Sequence, residues 1–428
     1  MTKKKIMPIK EKHCIEEELD SFLHNLSSLE LSFPFLLNLM DSFHGLAHNN
    51  FVEFINKVAT QEKNKKGEDI LRIKGENARK ARKQEEKVKV LFTASELVAQ
   101  QFVLSMVSQY DFFIGRLLRC LYQIKPEILN QSEKQLSYKD LSSFESIEAV
   151  KENIIEKEVD SFLRDSHLKQ FETLEKKLSI DLRKDLDIFP TFIELTERRN
   201  LFAHTNGIVS SQYINICKKE DALFNKNIRK GYKIGVNLDY LKQASDCLLE
   251  IAIKLAHVIW QKIDEKTLEK SSIHILNMSY RFLQEKRYHL DVKILSFFTE
   301  NQFKNKFNDN VYKPLKINLA QAYKWNGQED FCKNIINSED WSASSDLLLL
   351  AVAVLQDKTN DACLLMKNKK AVDLNARDYR EWPLFQKMRK EQKFQETFKK
   401  VFKEDLFSTT ERKSSREMNT QKRPLGEK

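Results

Sequence analysis

Glu194-Leu-Thr-Glu-Arg-Arg-Asn-Leu-Phe-Ala-His-Thr-Asn-Gly207 reads as an α-helix that stops at its glycine. On a 3.6-residue period Glu197, Asn200 and His204 fall at i, i+3 and i+7 and form one polar stripe, with Arg199 on its flank. Leu195 and Phe202, seven apart, make an apolar stripe on the opposite face. That stripe can pack on a bundle while the polar one faces a groove or a second subunit, because such polar groups are costly to bury without partners.

Working outward, helices dominate. Thr93-Ala-Ser-Glu96 has the form of a capping box, and a long helix follows to about Ile124, closed by Pro126. Upstream, residues 15–58 read as two helices. The first carries Leu19, Phe22, Leu23 and Leu26; the second runs from about Phe35 to Val58 with Leu36, Leu39, Met40 and Phe43 at helical spacing. Residues 61–89 are strongly polar. Within them Arg79, Lys80, Arg82 and Lys83 form a basic run, either a surface for phosphates or a solvated helix with i,i+4 pairs such as Arg82 with Glu86. Downstream, helices are expected over 146–164, 167–178 and 188–204. A linker follows over 207–236, and a helix capped by Asn237 reaches about Ile263.

After residue 266 the pattern changes to short helix pairs. Lys316 to Cys332 resembles a tetratricopeptide hairpin, with small and aromatic residues around a glycine turn, and Asp346 to Met366 resembles a degenerate second one. The tail from Thr409 is polar and reads as disordered.

The 428 residues contain only 9 Gly and 7 Pro, too few for the turns of a sheet-rich fold, so the class is all-α. A 41% hydrophobic content supports real cores, and the length calls for two or three domains. The formal net charge of +10 fits a polyanion partner and equally a charged helical surface. Cys14, Cys120, Cys217, Cys247, Cys332 and Cys363 are scattered without a CxxC pair, which fits neither a zinc site nor a disulfide framework. The start lacks a secretory h-region, and no uninterrupted apolar run has the length of a bilayer. A reducing cytoplasm is the expected setting, with no membrane partner. No Walker A, GxGxxG, GxSxG or kinase motif appears.

The chemistry on the 194–207 helix suits RNA cleavage through the RNA's own 2′-hydroxyl. An imidazole exchanges protons near neutral pH, a guanidinium binds a phosphate bidentately and offsets transition-state charge, and an amide orients either group. Glu197 can fix the His204 tautomer or pair with an arginine, and Arg198 is a candidate supporting residue. Arg116 and Arg119, three apart on one helical face, are candidates either for RNA contact or for an ion-paired surface. His44 and His48 have metal-like i,i+4 spacing but lack a third ligand, and read as non-functional. His257 reads as a core or interface residue, and His167 as a helix-start residue.

Arg199-Asn200-Leu-Phe-Ala-His204 matches the R-x4-6-H signature of the HEPN superfamily, with the polar residue that the family places after its arginine. The flanking Glu197-to-Val209 stretch and Tyr110-Asp111-Phe-Phe-Ile-Gly115-Arg116 look like bacterial HEPN proteins, so the resemblance covers about 95–265. It implies a helical bundle that dimerises with two Arg…His motifs facing each other. It also implies a metal-independent endoribonuclease without cofactor, of the kind found in toxin–antitoxin, abortive-infection and other anti-phage systems. By that similarity Arg199, Asn200 and His204 are the catalytic set, RNA and a second copy are the partners, and a protein regulator or antitoxin is a further one. Some relatives are inactive scaffolds or bind nucleotides only, so a non-catalytic adaptor stands as the alternative. The expected organisation is an N-terminal helical region (1–60), a charged helix or linker (61–92), the HEPN domain (93–265), a tetratricopeptide-like helical module (266–408) and the tail (409–428).

Overall fold

The computed structural model describes residues 12–63, 67–131, 137–222, 228–299 and 307–407. The expectation for the tail, 409–428, lies outside them. Among the described residues the fold is all-α, with one two-stranded hairpin. Contacts divide the chain into Met1–Ser271 and Ser272–Lys428.

The first unit is built on two long helices, α1 (Cys14–Val58) and α2 (Gly75–Ile124), joined by the antiparallel strands β1 (Thr60–Lys63) and β2 (Asp69–Arg72). The helices run antiparallel in a register that holds along their length. Glu18 meets Arg116, the Phe22 ring lies 5.0 Å from Phe113, Asn25 bonds Gln109, Phe33 stacks edge-on with Phe102 at 4.6 Å, and Asp41 accepts from Ser95.

Two sequence expectations are corrected here. Residues 15–58 form one helix rather than two, because α1 runs through Pro34. Proline removes its own N–H from the ladder and crowds the carbonyl four residues earlier, and contacts with α2 on both sides of it, Asn25–Gln109 and Asp41–Ser95, offset that cost. The long helix also begins at Gly75, not at Thr93. Thr93 sits mid-helix and turns its hydroxyl back to the Lys89 carbonyl (3.1 Å), while Ser95 and Glu96 serve tertiary partners, Asp41 (2.9 Å) and Lys233 (2.8 Å). A local capping signal loses where continued helix finds a neighbouring helix to pack on. The stretch 61–92, expected as a charged helix or linker, is a hairpin followed by helix from Gly75 onward. Its i,i+4 pairs among the described residues include Lys80–Glu76 (3.2 Å) and Lys89–Glu85 (2.6 Å).

The rest of the unit wraps α2. Helices α3 (Tyr138–Leu141), α4 (Ile147–Arg164), α5 (His167–Leu178), α6 (Phe189–Thr205), α7 (Ser211–Lys219) and α8 (Leu238–Ile263) follow in order. Ser146, Ser166 and Asn237 cap α4, α5 and α8 as side-chain acceptors, close to the expected starts. α7 lies inside the stretch read as a linker, started by its own cap, Ser210. α2 packs against α1, α4, α6 and α8. It is also the described helix whose length and composition would suffice to cross a membrane, with mean hydropathy 1.5 over its most apolar window. Its side chains Val103, Met106, Val107 and Tyr110 are buried in this bundle, while Val90, Phe92, Leu97 and Phe112 are exposed. α8 is buried on nearly every face; His257 within it is fully enclosed, its Nδ1 2.8 Å from Ser271 Oγ.

The second unit is made of helical hairpins. α9 (Leu268–Gln284), in which the division falls, is followed by α10 (Tyr288–Thr299), α11 (Asp309–Trp325), α12 (Glu329–Asn337), α13 (Asp346–Leu355) and α14 (Thr359–Lys367). α15 (Lys369–Val372), α16 (Ala376–Glu381) and α17 (Gln392–Phe402) close it. One turn geometry recurs between α9 and α10, α11 and α12, and α13 and α14. A left-handed residue (Lys286, Gly327, Asp357) is followed by an N–H that reaches back five residues, Arg287 to Phe282, Gln328 to Tyr323 and Lys358 to Ala353. Lys324 ties two hairpins by donating to the Leu355 carbonyl (2.6 Å) and pairing with Asp357 (2.9 Å). The intervals between these turns are unequal.

Candidate functional site

α6 carries the motif, and its ends are locally encoded. Pro190 lies in its first turn, and the helix terminates with Asn206 and Gly207 both in the left-handed region. Gly207 is required twice over. Its φ is +81°, and a Cβ there would meet the Ile234 carbonyl at 2.8 Å. That close approach is an antiparallel pairing of the two chain segments, with Ile234 N–H on Gly207 O and Val209 N–H on Tyr232 O (both 2.9 Å). The pairing holds the end of α6 against the segment leading into α8.

Leu195 and Phe202 are buried, as the apolar stripe implies. The polar side is divided. Arg199 donates through Nη2 to Asp111 Oδ2 on α2, and through Nη1 to Asn200 Oδ1 (3.1 Å). The other oxygen of Asp111 lies 2.8 Å from His167 Nε2 at the start of α5. One carboxylate thus joins α2, α5 and α6. Burial pushes the Asp111 carboxyl up, but the hydrogen bond and charge of His167, together with Arg199, outweigh it and hold its pKa below the usual value. His167 therefore both opens α5 and belongs to the motif's surroundings. Nothing near it in sequence marks this role, although Asp111 sits in the Tyr110–Arg116 stretch singled out above.

Glu197 differs from the expectation of an outward stripe. It is buried, its carboxyl is raised by desolvation, and the Asn200 amide lies 3.5 Å away. His204, in the last turn, is exposed. The structure brings Arg199, Asn200, Glu197, Asp111 and His167 together by hydrogen bonds, and none of these bonds includes His204.

Arg198 faces the opposite side of α6. Its Nε donates to Glu194 Oε1 (2.7 Å), its Nη1 reaches the Gly235 carbonyl (3.3 Å), and its guanidinium lies 4.0 Å from the Tyr240 ring centre. Glu194 also accepts from Tyr213 (2.7 Å) and Tyr240 (3.0 Å). Burial first, then the Glu194 charge, push both phenols above their usual range. This is a closed network joining α6, α7 and α8, beside a cavity of about 360 Å³. Arg116 gives two bonds to Glu18 Oε1 (2.9 and 2.6 Å), and Arg119 pairs with Glu152 at 2.6 Å, so each candidate RNA contact already holds a carboxylate. His44 and His48 lie with ring centres 6.3 Å apart, His44 against Phe92.

No protein-family model, no curated protein and no solved structure matches this chain.

Proposed function

We propose that the chain is a metal-independent endoribonuclease of HEPN type, a toxin or anti-phage effector of the cytoplasm, with Arg199, Asn200 and His204 as its catalytic residues. In this reading His204 takes the proton of a ribose 2′-hydroxyl, and the 2′-oxygen attacks the adjacent phosphorus. The 5′-oxygen leaves with a proton from water or from the imidazolium of the facing motif, producing a 2′,3′-cyclic phosphate and a 5′-hydroxyl end. Arg199 holds the non-bridging oxygens as charge builds, and Asn200 orients the phosphate. The observation that carries the reading is the Asp111–Arg199–Asn200 arrangement, which fixes a guanidinium and an amide on one side of α6, with an exposed imidazole one turn further on. His204 has no described partner in those bonds, which fits a site completed by the motif of a second copy. The hairpins of the second unit suit a protein regulator.

One observation favours a second reading. Both terminal nitrogens of Arg199 are engaged within the chain, as in an ion pair that only joins helices. An adaptor that dimerises without catalysis would look the same. Incubating the purified protein with labelled tRNA and total RNA in EDTA, beside His204→Ala and Arg199→Ala, separates the two. Loss of one catalytic proton-transfer group costs about 100- to 10,000-fold, so cleavage to cyclic-phosphate ends should vanish in His204→Ala. Cleavage by both variants at the wild-type rate would overturn the nuclease reading.

A further inference from the structure

Six free thiols are spread along the chain, and two of them meet. Cys14 is the first residue of α1, and Cys120 lies in the last turns of α2. Cys14 stands four residues before Glu18, and Cys120 four residues after Arg116. The antiparallel register that pairs Glu18 with Arg116 therefore sets the two cysteines opposite one another, one turn further on. Their side chains hydrogen-bond to each other. The start of α1 is also held in place. The His13 ring stacks on Trp260 at 4.2 Å, and its Nε2 lies 3.4 Å from Asp264 Oδ2.

We infer that Cys14 and Cys120 form an oxidisable pair, in which a peroxide oxidises Cys14 and Cys120 then closes a reversible disulfide between α1 and α2. The surroundings of the two sulfurs differ in the direction this requires. The Cys120 S–H, and after it the N–H groups of Ile15 and Cys14 itself, stabilise the Cys14 thiolate and lower its pKa against the effect of burial. Thiols at helix N-termini are activated in this way. The same hydrogen bond, together with burial, pushes the Cys120 thiol up, so it stays protonated until its partner is oxidised. Cys14 is partly exposed, while the other five cysteines are buried. Burial pushes Cys217 up to about 12 and Cys332 up to about 11, which leaves them poor nucleophiles.

The Cys14 thiolate attacks one peroxide oxygen. The S–O bond forms, the O–O bond breaks, and the departing hydroxide takes a proton from solvent to become water. The Cys120 sulfur then attacks the sulfur of the Cys14 sulfenic acid. The S–S bond forms, the S–O bond breaks, and the hydroxyl leaves as water with the Cys120 proton. The two thiols lose two electrons in all, and the peroxide gains them. A small-molecule thiol reverses the bridge by exchange. The pair is remote in sequence from Arg199 and His204 and independent of the nuclease reading.

The test exposes the reduced full-length protein to a small excess of hydrogen peroxide without denaturant. Two of the six thiols should then be lost to titration in denaturant, and peptide mapping should find a Cys14–Cys120 linkage that dithiothreitol removes. Cys14→Ser should keep all its thiols under the same exposure. Cys120→Ser, exposed with dimedone present, should carry the sulfenic-acid label on Cys14. Circular dichroism melting of the reduced variants confirms that both are folded. Survival of all six thiols in wild type, a linkage that omits Cys14 or Cys120, or an unlabelled Cys14 in Cys120→Ser would overturn the inference.

Discussion

Arg198 and Arg199 are neighbours in sequence and hold carboxylates on opposite sides of α6, Glu194 toward α7 and α8 and Asp111 toward α2. A step of 100° along a helix is enough to separate two such roles. Arg198 is enclosed, and its removal leaves Glu194 buried with only two phenols as partners. Arg199 is partly exposed, and its removal leaves Asp111 with His167.

The two arginines should therefore fail differently. Breaking a buried ion pair by deleting one partner costs about 3–5 kcal/mol, on the order of 10 °C in Tm for a unit of this size. Arg198→Ala should show that loss in a thermal melt. Arg199→Ala should melt within a few degrees of wild type and lose RNA cleavage. Equal melting losses for the two variants would remove the structural distinction between them.

Asp111 gives a prediction in pH. Its folded-state pKa lies below the unfolded value, so its contribution to stability is complete above the usual carboxylate range and disappears as pH falls through the folded value. Asp111→Asn keeps the shape but presents an amide to donors on both sides, at a cost of about 1–3 kcal/mol. Urea titrations at a series of pH values should show a constant gap between wild type and Asp111→Asn above about pH 5, and a shrinking gap below about pH 4. A gap that stays the same at pH 3 would mean that the carboxylate charge is not what joins the three helices.

How much of this is legible in sequence depends on how local the cause is. The starts of α4, α5 and α8 are set by Ser146, Ser166 and Asn237, whose oxygens satisfy amides three residues on, and each is readable from a few residues. The end of α6 is readable for the same reason, with Asn206 and Gly207 supplying the left-handed turn. Arg199, Asn200 and His204 are singled out by the HEPN-like motif they form on that helix. Their setting is not: Asp111 is 88 residues from Arg199, and His167 is 56 from Asp111, separations that no short pattern spans. Thr93 and Pro34 mislead because their signals are genuine locally, and the antiparallel packing of α1 on α2 overrides both.

Pro34 tests that override. An interior proline is about 3 kcal/mol less favourable than alanine, while its loss frees the unfolded chain by about 0.4–1 kcal/mol. Because α1 is continuous through residue 34 and the side chain is exposed, Pro34→Ala should restore an N–H to the Glu30 carbonyl without disturbing a contact with α2. The expected outcome is a gain of about 2 kcal/mol in urea unfolding. A neutral or destabilising result would indicate a break in α1 at this point.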